Sequence, residues 1–126
     1  MGRIMASNFR IPSKNNVIAS DLPATGAGSQ PGDPVVTGDL VGANLWGTGQ
    51  GQGVPAGSTY GMVALDGVIV TEVELGAAVT ENQAVYISAG NELSDDDAGT
   101  LFGYTDEPSA AGTVRIGVRI SNAVGA

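Results

Sequence analysis

The sequence predicts an all-β protein, a small single domain built as a β-barrel or sandwich, and three observations lead to this prediction. Among the apolar residues, 14 Val and 7 Ile outnumber the 7 Leu, and β-branched side chains favour strands over helices. The chain holds 20 Gly and 6 Pro in 126 residues, so many turns and short elements are required. Hydrophobic residues still make up 42% of the chain, which is enough for one buried core at this length.

The first segment of the chain differs in charge from the rest. Residues 1–20 contain three basic residues and no acidic one, whereas residues 21–126 contain two basic and thirteen acidic residues. This asymmetry predicts an extended basic N-terminal arm, residues 1–20, on an acidic β-rich domain, residues 21–126. Charge alone leaves two interpretations open, an arm that docks on a partner and a terminal tail without a role.

Gly and Pro are densest in residues 21–58, so only short elements fit there. Two short strands are predicted over residues 34–37 and 40–44. They are followed by the run Gly-Thr-Gly-Gln-Gly-Gln-Gly-Val-Pro from Gly47, which predicts an exposed Gly-rich loop over residues 47–58. Loops of this length in a compact domain usually have a function or are mobile.

From Tyr60 onward, apolar runs alternate with turn residues at intervals of about ten residues, the spacing of a sandwich or barrel. Asp66-Gly67 predicts a two-residue hairpin between strands at 60–65 and 68–73. Along residues 113–121 apolar side chains occupy every second position, so that strand buries one face and exposes Arg115 and Arg119. Shorter strands are predicted over residues 84–88 and 101–105.

Composition excludes most catalytic chemistry. The chain has no Cys and no His, so it lacks the preferred ligands of zinc, haem and iron–sulfur sites and the imidazole of a catalytic triad. Asp95, Asp96 and Asp97 lack the alternating spacing of a calcium loop, which favours a solvated acidic turn over a metal site. Residues 51–56 match the dinucleotide fingerprint in form only, because no helix can open at Pro55. We expect no catalytic residue, no metal and no cofactor.

The net charge and the length of the apolar runs also indicate which partners to expect. An acidic body repels phosphates, so nucleic acid is not an expected ligand. No run of 18 apolar residues is present, which argues against a membrane span, and residues 1–20 lack the apolar stretch of a signal peptide. Trp46, at the start of the Gly-rich loop, has two interpretations, a core residue or an exposed anchor for a partner.

Several short motifs, in their order and spacing, point to a known family. They are Asn8-Phe9, Gly32-Asp33-Pro34-Val35-Val36, Gly38 to Ala43, Val63 to Val68, Gln83 to Tyr86, Leu101 to Tyr104 and Val114 to Ile120. With these motifs, residues 8–121 resemble the tailed-phage capsid decoration (cement) protein family. The resemblance implies a β-barrel or tulip-like domain on the outside of the phage head, assembled as a trimer over local threefold positions. It also implies an N-terminal segment that reaches along the major capsid protein, and it implies no catalytic residue.

We therefore expect a non-enzymatic protein, made in the host cytoplasm, that decorates the outer surface of the virion head and stabilises it by bridging neighbouring major capsid protein subunits. Its partners would be the major capsid protein and itself, as a homotrimer. The predicted capsid-binding residues of the arm are Arg3, Phe9, Arg10, Ile11, Lys14, Val17 and Ile18, with Trp46 as a further partner contact. The alternative function is an oligomeric β-barrel that binds carbohydrate or host cells, which its six aromatic residues support poorly.

Overall fold

The computed structural model of the protein describes residues 6–13, 16–50 and 57–122, and within these ranges every regular element is a β-strand. The prediction of an all-β domain is confirmed. The strands, in chain order, are β1 (Phe9–Ile11), β2 (Val17–Asp21), β3 (Pro34–Thr37), β4 (Leu40–Asn44), β5 (Tyr60–Ala64), β6 (Val68–Leu75), β7 (Ala84–Ile87), β8 (Leu93–Ser94), β9 (Thr100–Thr105) and β10 (Gly112–Ile120).

Five of the strands form a closed barrel in the order β6–β10–β9–β7–β8, and β8 closes it by pairing parallel to β6. The longest ladder joins β6 antiparallel to β10 over the whole length of β6. Side chains of β10 alternate as predicted, with Ile116 and Val118 buried and Arg115 and Arg119 exposed. The main core lies inside this barrel, and Phe102 is its largest fully buried side chain.

The other four strands form a second sheet in the order β2–β5–β4–β3, which curls into a half-barrel. Its two outer strands approach each other at one point, where the hydroxyl oxygens of Ser20 in β2 and Thr37 in β3 lie 2.5 Å apart. A second, smaller core of four buried residues lies against this sheet: Leu22, Val35, Val63 and Leu65.

The β3–β4 hairpin contributes to both cores. Val36, Val41 and Ala43 pack with the barrel core, whereas Val35 and Leu40 pack with the smaller core. Successive side chains on a strand point to opposite faces, so a hairpin covered on both faces must be apolar on both. This explains why its strands are nearly continuous apolar runs, and both occupy the predicted bounds.

The hairpin predicted at Asp66-Gly67 is wrong. β5 pairs with β2 and β4, while β6 pairs with β1, β10 and β8, so these two residues connect the two sheets. At its first residues β6 already has β1 on one side and β10 on the other, which leaves no edge for β5. Of the two turn residues only Gly67 has positive φ, 108°, and a Cβ there would lie 2.7 Å from the carbonyl oxygen of Ile11. Glycine is required here by the close approach of β1.

The remaining predicted strands are present with shifted ends. β5 ends at Ala64 and β6 continues to Leu75, while β7, β9 and β10 lie within one residue of their predicted bounds. The three strands that were not predicted, β1, β2 and β8, are the two in the N-terminal region and a strand of two residues.

Candidate functional site

The N-terminal segment, defined here as residues 6–13 and 16–21, lies on the outside of both sheets. β1 is the last strand of the barrel sheet and β2 is the last strand of the half-barrel sheet. Each pairs with one described strand, β1 with β6 and β2 with β5. The residues predicted to form an arm are thus built into the sheets of the domain itself, and they place two strand edges at its surface.

An apolar groove of about 380 Å³ lies along this segment. It is lined by Ala6, Ser7, Phe9, Pro12, Ser13, Val17 and Leu45. Ile11, on the same strand as Phe9, is 48% exposed. In the described part of the chain only Tyr60, at 50%, is a comparably exposed large apolar residue. Exposed apolar surface of this kind beside edge strands is typical of a protein contact.

The four apolar residues predicted to contact the capsid occupy three different environments. Phe9 is half-buried and packs against the barrel core, and Ile18 is half-buried and packs against the smaller core. Val17 lines the groove, and Ile11 is exposed. Phe9 and Ile18 therefore hold the segment on the domain, and Phe9 and Val17 in the groove, like the exposed Ile11, present apolar surface to a partner.

Arg10 binds to acidic residues of its own chain. Its guanidinium donates to Asp106 at 3.3 Å and to Glu107 at 2.9 Å. Arg119 donates to the other oxygen of Asp106 at 3.0 Å. The Arg10 side chain lies over Gly117, where a Cβ would come within 2.8 Å of its Nη1 atom. This cluster fastens β1 to the turn after β9 and to β10.

The cluster also shifts the pKa values of Glu107 and Arg10. The backbone N–H of Gly117 and the Arg10 guanidinium both donate to Glu107 Oε2, and together they hold the pKa of Glu107 below its ordinary value. The same carboxylate raises the pKa of Arg10. Both groups are solvent-accessible, so the charge pairing alone contributes little to stability.

The residue that fixes the start of the segment, Asn8, could not be recognised from the sequence. Its side-chain amide donates to the carbonyl oxygens of Gly32 at 3.1 Å and Val70 at 3.0 Å, which joins the segment to the loop before β3 and to β6. A backbone hydrogen bond from Ala6 to Leu45 adds to this, at 2.6 Å. The partners of Asn8 are 24 and 62 residues away, so no local pattern indicates them.

The other predicted partner contacts are only partly visible. Arg3, Lys14 and residues 51–56 of the Gly-rich loop lie outside the described residues. Trp46 is half-buried and belongs to neither core. The described start of the loop is held by backbone hydrogen bonds from Thr48 to Ser29 and from Gly49 to Tyr60.

Two carboxylates of the acidic turn, residues 95–97, accept hydrogen bonds from backbone N–H groups. Asp95 accepts from the backbone N–H of Gly76 at 3.0 Å, and Asp96 accepts from that of Ala98 at 3.0 Å. Among the described residues no group of three acidic side chains could hold a metal ion. The same residues include no helix long and apolar enough to cross a membrane.

Comparison with known proteins identifies the family. A family model described as phage cement protein matches residues 14–120, most of the 126-residue chain. The match includes β2 to β10. It begins directly after the groove residue Ser13, so β1 lies outside it. No curated protein and no solved structure matches the chain. The chain therefore belongs to the phage cement protein family, whose members are structural, capsid-binding components of the virion.

Proposed function

We propose that the protein binds the outer surface of the phage head and stabilises it by bridging neighbouring major capsid protein subunits. The observation that carries this proposal is the N-terminal segment, with its two strand edges, its apolar groove and the exposed Ile11. A protein that binds the assembled shell and not its separated subunits adds its binding free energy to the work of separating them.

The segment offers two kinds of contact to a capsid subunit. Covering Ile11 and the groove removes apolar surface from water, and burying the remaining half of an Ile side chain contributes about 1 kcal/mol. The outer edges of β1 and β2 can receive an extended strand of the partner through backbone hydrogen bonds. Such contacts are individually modest, which suits a protein that acts in many copies.

Assembly as a homotrimer is part of the proposal, because linked contacts reinforce one another. Once one subunit of a trimer is bound, the other two bind as intramolecular events, and avidity exceeds single-site affinity by about 10²–10⁴. The acidic charge of the domain, in a chain of net charge −8, then faces solvent and keeps particles apart.

The test is binding of purified protein to heads that lack it. Ile11→Asp places a charge where the proposal needs an apolar contact, and it is expected to weaken binding about tenfold or more. Tyr60→Ser is the matched control, because Tyr60 is comparably exposed and lies on β5, outside the N-terminal segment. Co-sedimentation across a concentration series measures both variants.

Thermal unfolding of both variants checks that the fold is unchanged. Equal binding of Ile11→Asp and wild type, with both folded, would remove the exposed Ile11 of β1 from the mechanism. Absence of binding by the wild-type protein to any head would overturn the proposed function as a whole.

A further inference from the structure

β1, the strand that carries the exposed Ile11, is held on the barrel by few backbone contacts. In the described part of the chain it pairs only with β6, at Phe9 and Ile11, and the register shifts between these two residues. Arg10 lies at this shift. A strand of three residues with an irregular ladder opens at a small free-energy cost unless side chains hold it in place.

The Arg10 side chain supplies such a hold. In the sheet β6 lies between β1 and β10, so this side chain reaches across a whole strand to bind Asp106 and Glu107. Its two terminal nitrogens bind different carboxylates, at 3.3 Å and 2.9 Å. The contact therefore ties β1 to a part of the barrel that its own backbone does not reach.

The two carboxylates are fixed on the barrel independently of Arg10. The backbone N–H of Gly117 donates to Glu107 Oε2 at 2.9 Å, and Arg119 donates to Asp106 Oδ1 at 3.0 Å. The backbone N–H of Asp106 also donates to the carbonyl oxygen of Gly117 at 2.8 Å. The acidic half of the cluster is thus already in place, and β1 is the part that it holds.

Gly117 leaves the space in which the guanidinium lies. A Cβ at this position would come within 2.8 Å of Arg10 Nη1 and 3.1 Å of its Cζ. The φ angle of Gly117 is not positive, so its backbone conformation does not require glycine. The missing side chain therefore makes room for Arg10.

The same strand forms part of the candidate capsid-binding surface. Phe9, which precedes Arg10, lines the groove, and the exposed Ile11 follows it. When β1 leaves the barrel, both residues lose their positions together. Exposed ion pairs contribute little to the stability of a whole domain, but a small free energy is enough to shift the opening of one short strand.

We propose that Arg10, Asp106 and Glu107 are positioning residues for capsid binding. They hold β1 closed on the barrel, and only the closed strand presents Ile11 and the groove to a capsid subunit. The inference rests on the proposed function, and it assigns the charge of Arg10 to a contact within the chain. The affinity for heads then falls in proportion to the fraction of molecules in which β1 is closed.

The first test displaces the Arg10 side chain without removing a charge. Gly117→Ala places a methyl group where the guanidinium lies, and Gly90→Ala is the matched control, because its Cβ would meet nothing closer than 3.7 Å. We expect Gly117→Ala to bind heads about three- to tenfold more weakly than the control, to the same extent as Arg10→Gln. A capsid contact made by Arg10 itself would survive in Gly117→Ala, so control-like binding of this variant overturns the inference.

The second test is a double-mutant cycle on binding to heads, which does not depend on the folding of Gly117→Ala. Arg10→Gln and Glu107→Ala each break the same contact, so the combined variant is expected to lose no more affinity than the larger of the two separate losses. Losses that multiply would mean that the two residues act separately, which contradicts the inference.

Hydrogen exchange in the free protein reports the opening of β1 directly. The amides of residues 9–11 are expected to exchange faster in Arg10→Gln and Glu107→Ala than in wild type, while the melting temperature stays close to that of wild type. Exchange as slow as in wild type would contradict the inference. Equal binding of wild type and all variants to heads overturns only the positioning role, whereas absence of wild-type binding overturns the proposed function.

Discussion

At the residue scale, the closest packing in the barrel depends on a missing side chain. Gly103 in β9 pairs with Ile120 in β10, and a Cβ there would overlap the backbone carbonyl oxygen of Arg119. Backbone atoms held in a ladder on both sides cannot move aside independently. The strands β9 and β10 can therefore pair at this position only around glycine.

Gly103→Ala is expected to destabilise the protein by about 2 kcal/mol or more, because the ladder must open to admit the methyl group. Gly90→Ala is the control, since its Cβ would meet nothing closer than 3.7 Å and its φ is not positive. Urea unfolding of the two variants measures the difference. Similar midpoints would contradict the close approach of the two strands.

Glu107 makes the free energy of unfolding depend on pH in the acid range. Its pKa is lower in the folded chain than in the unfolded chain, chiefly because the Gly117 N–H and Arg10 donate to it. Its contribution is therefore fully present above the unfolded pKa of about 4.3 and is lost as pH falls through the lower folded pKa. Glu107→Gln removes this contribution, so its melting temperature should fall less than that of wild type across that acid range.

Glu81→Gln is the matched control for this experiment, because Glu81 is exposed and its carboxylate forms no ion pair. Its acid profile should follow that of wild type. If Glu107→Gln also follows wild type, the Arg10 cluster does not contribute to acid stability.

At the element scale, a side chain replaces a missing strand in the half-barrel sheet by bonding to the backbone of β4. β4 pairs with β5 only at Ala43 and Asn44, so the backbone of Val41 has no strand partner on that side. Asn122 takes this place. Its amide accepts from Val41 N–H at 2.8 Å and donates to the carbonyl oxygens of Val41 and Leu65, both at 2.9 Å. Asn122, two residues after the end of β10, thereby joins the barrel to the second sheet.

Asn122→Ala is expected to cost about 1–3 kcal/mol, because it leaves part-buried backbone groups without partners. Asn122→Asp keeps the acceptor for Val41 N–H and loses both donors, so it should also destabilise the protein. Thermal unfolding monitored by circular dichroism measures both variants. An unchanged melting temperature in Asn122→Ala would show that this amide does not hold the sheets together.

The strands that sequence predicted best are those with a repeating pattern over several residues. β10 alternates over nine residues, and β3 and β4 are apolar runs bounded by Gly and Pro, so their bounds could be predicted closely. β1 and β8 are too short to show a period. The Asp66-Gly67 turn was correctly placed but wrongly interpreted, because a local signal does not specify which strands pair across it.

For the N-terminal segment too, the character of single residues could be predicted from the sequence, whereas contacts between residues far apart in the chain could not. The apolar character of Phe9, Ile11 and Val17 is visible in the sequence, and the structure places Phe9 and Val17 in the groove and leaves Ile11 exposed. Arg10 was predicted to contact a partner as part of the basic arm. Its hydrogen bonds within the chain could not be foreseen, because the carboxylates lie 96 and 97 residues away.

At the scale of the whole molecule, the two sheets are fastened to each other at several points. The β3–β4 hairpin packs against both cores, and Asn8, Arg10 and Asn122 hold the described ends of the chain on the domain. The proposed bridging of capsid subunits requires such a connected domain, because a loosely joined one would let the subunits separate before a contact broke.

The most direct test of the central claim is the temperature at which heads rupture. Heads assembled without the protein are heated alone, with wild-type protein and with Ile11→Asp, and DNA release is followed by dye fluorescence. We expect wild-type protein to raise the release temperature and Ile11→Asp to raise it less. Bound wild-type protein that leaves the release temperature unchanged would contradict a role in holding the shell together.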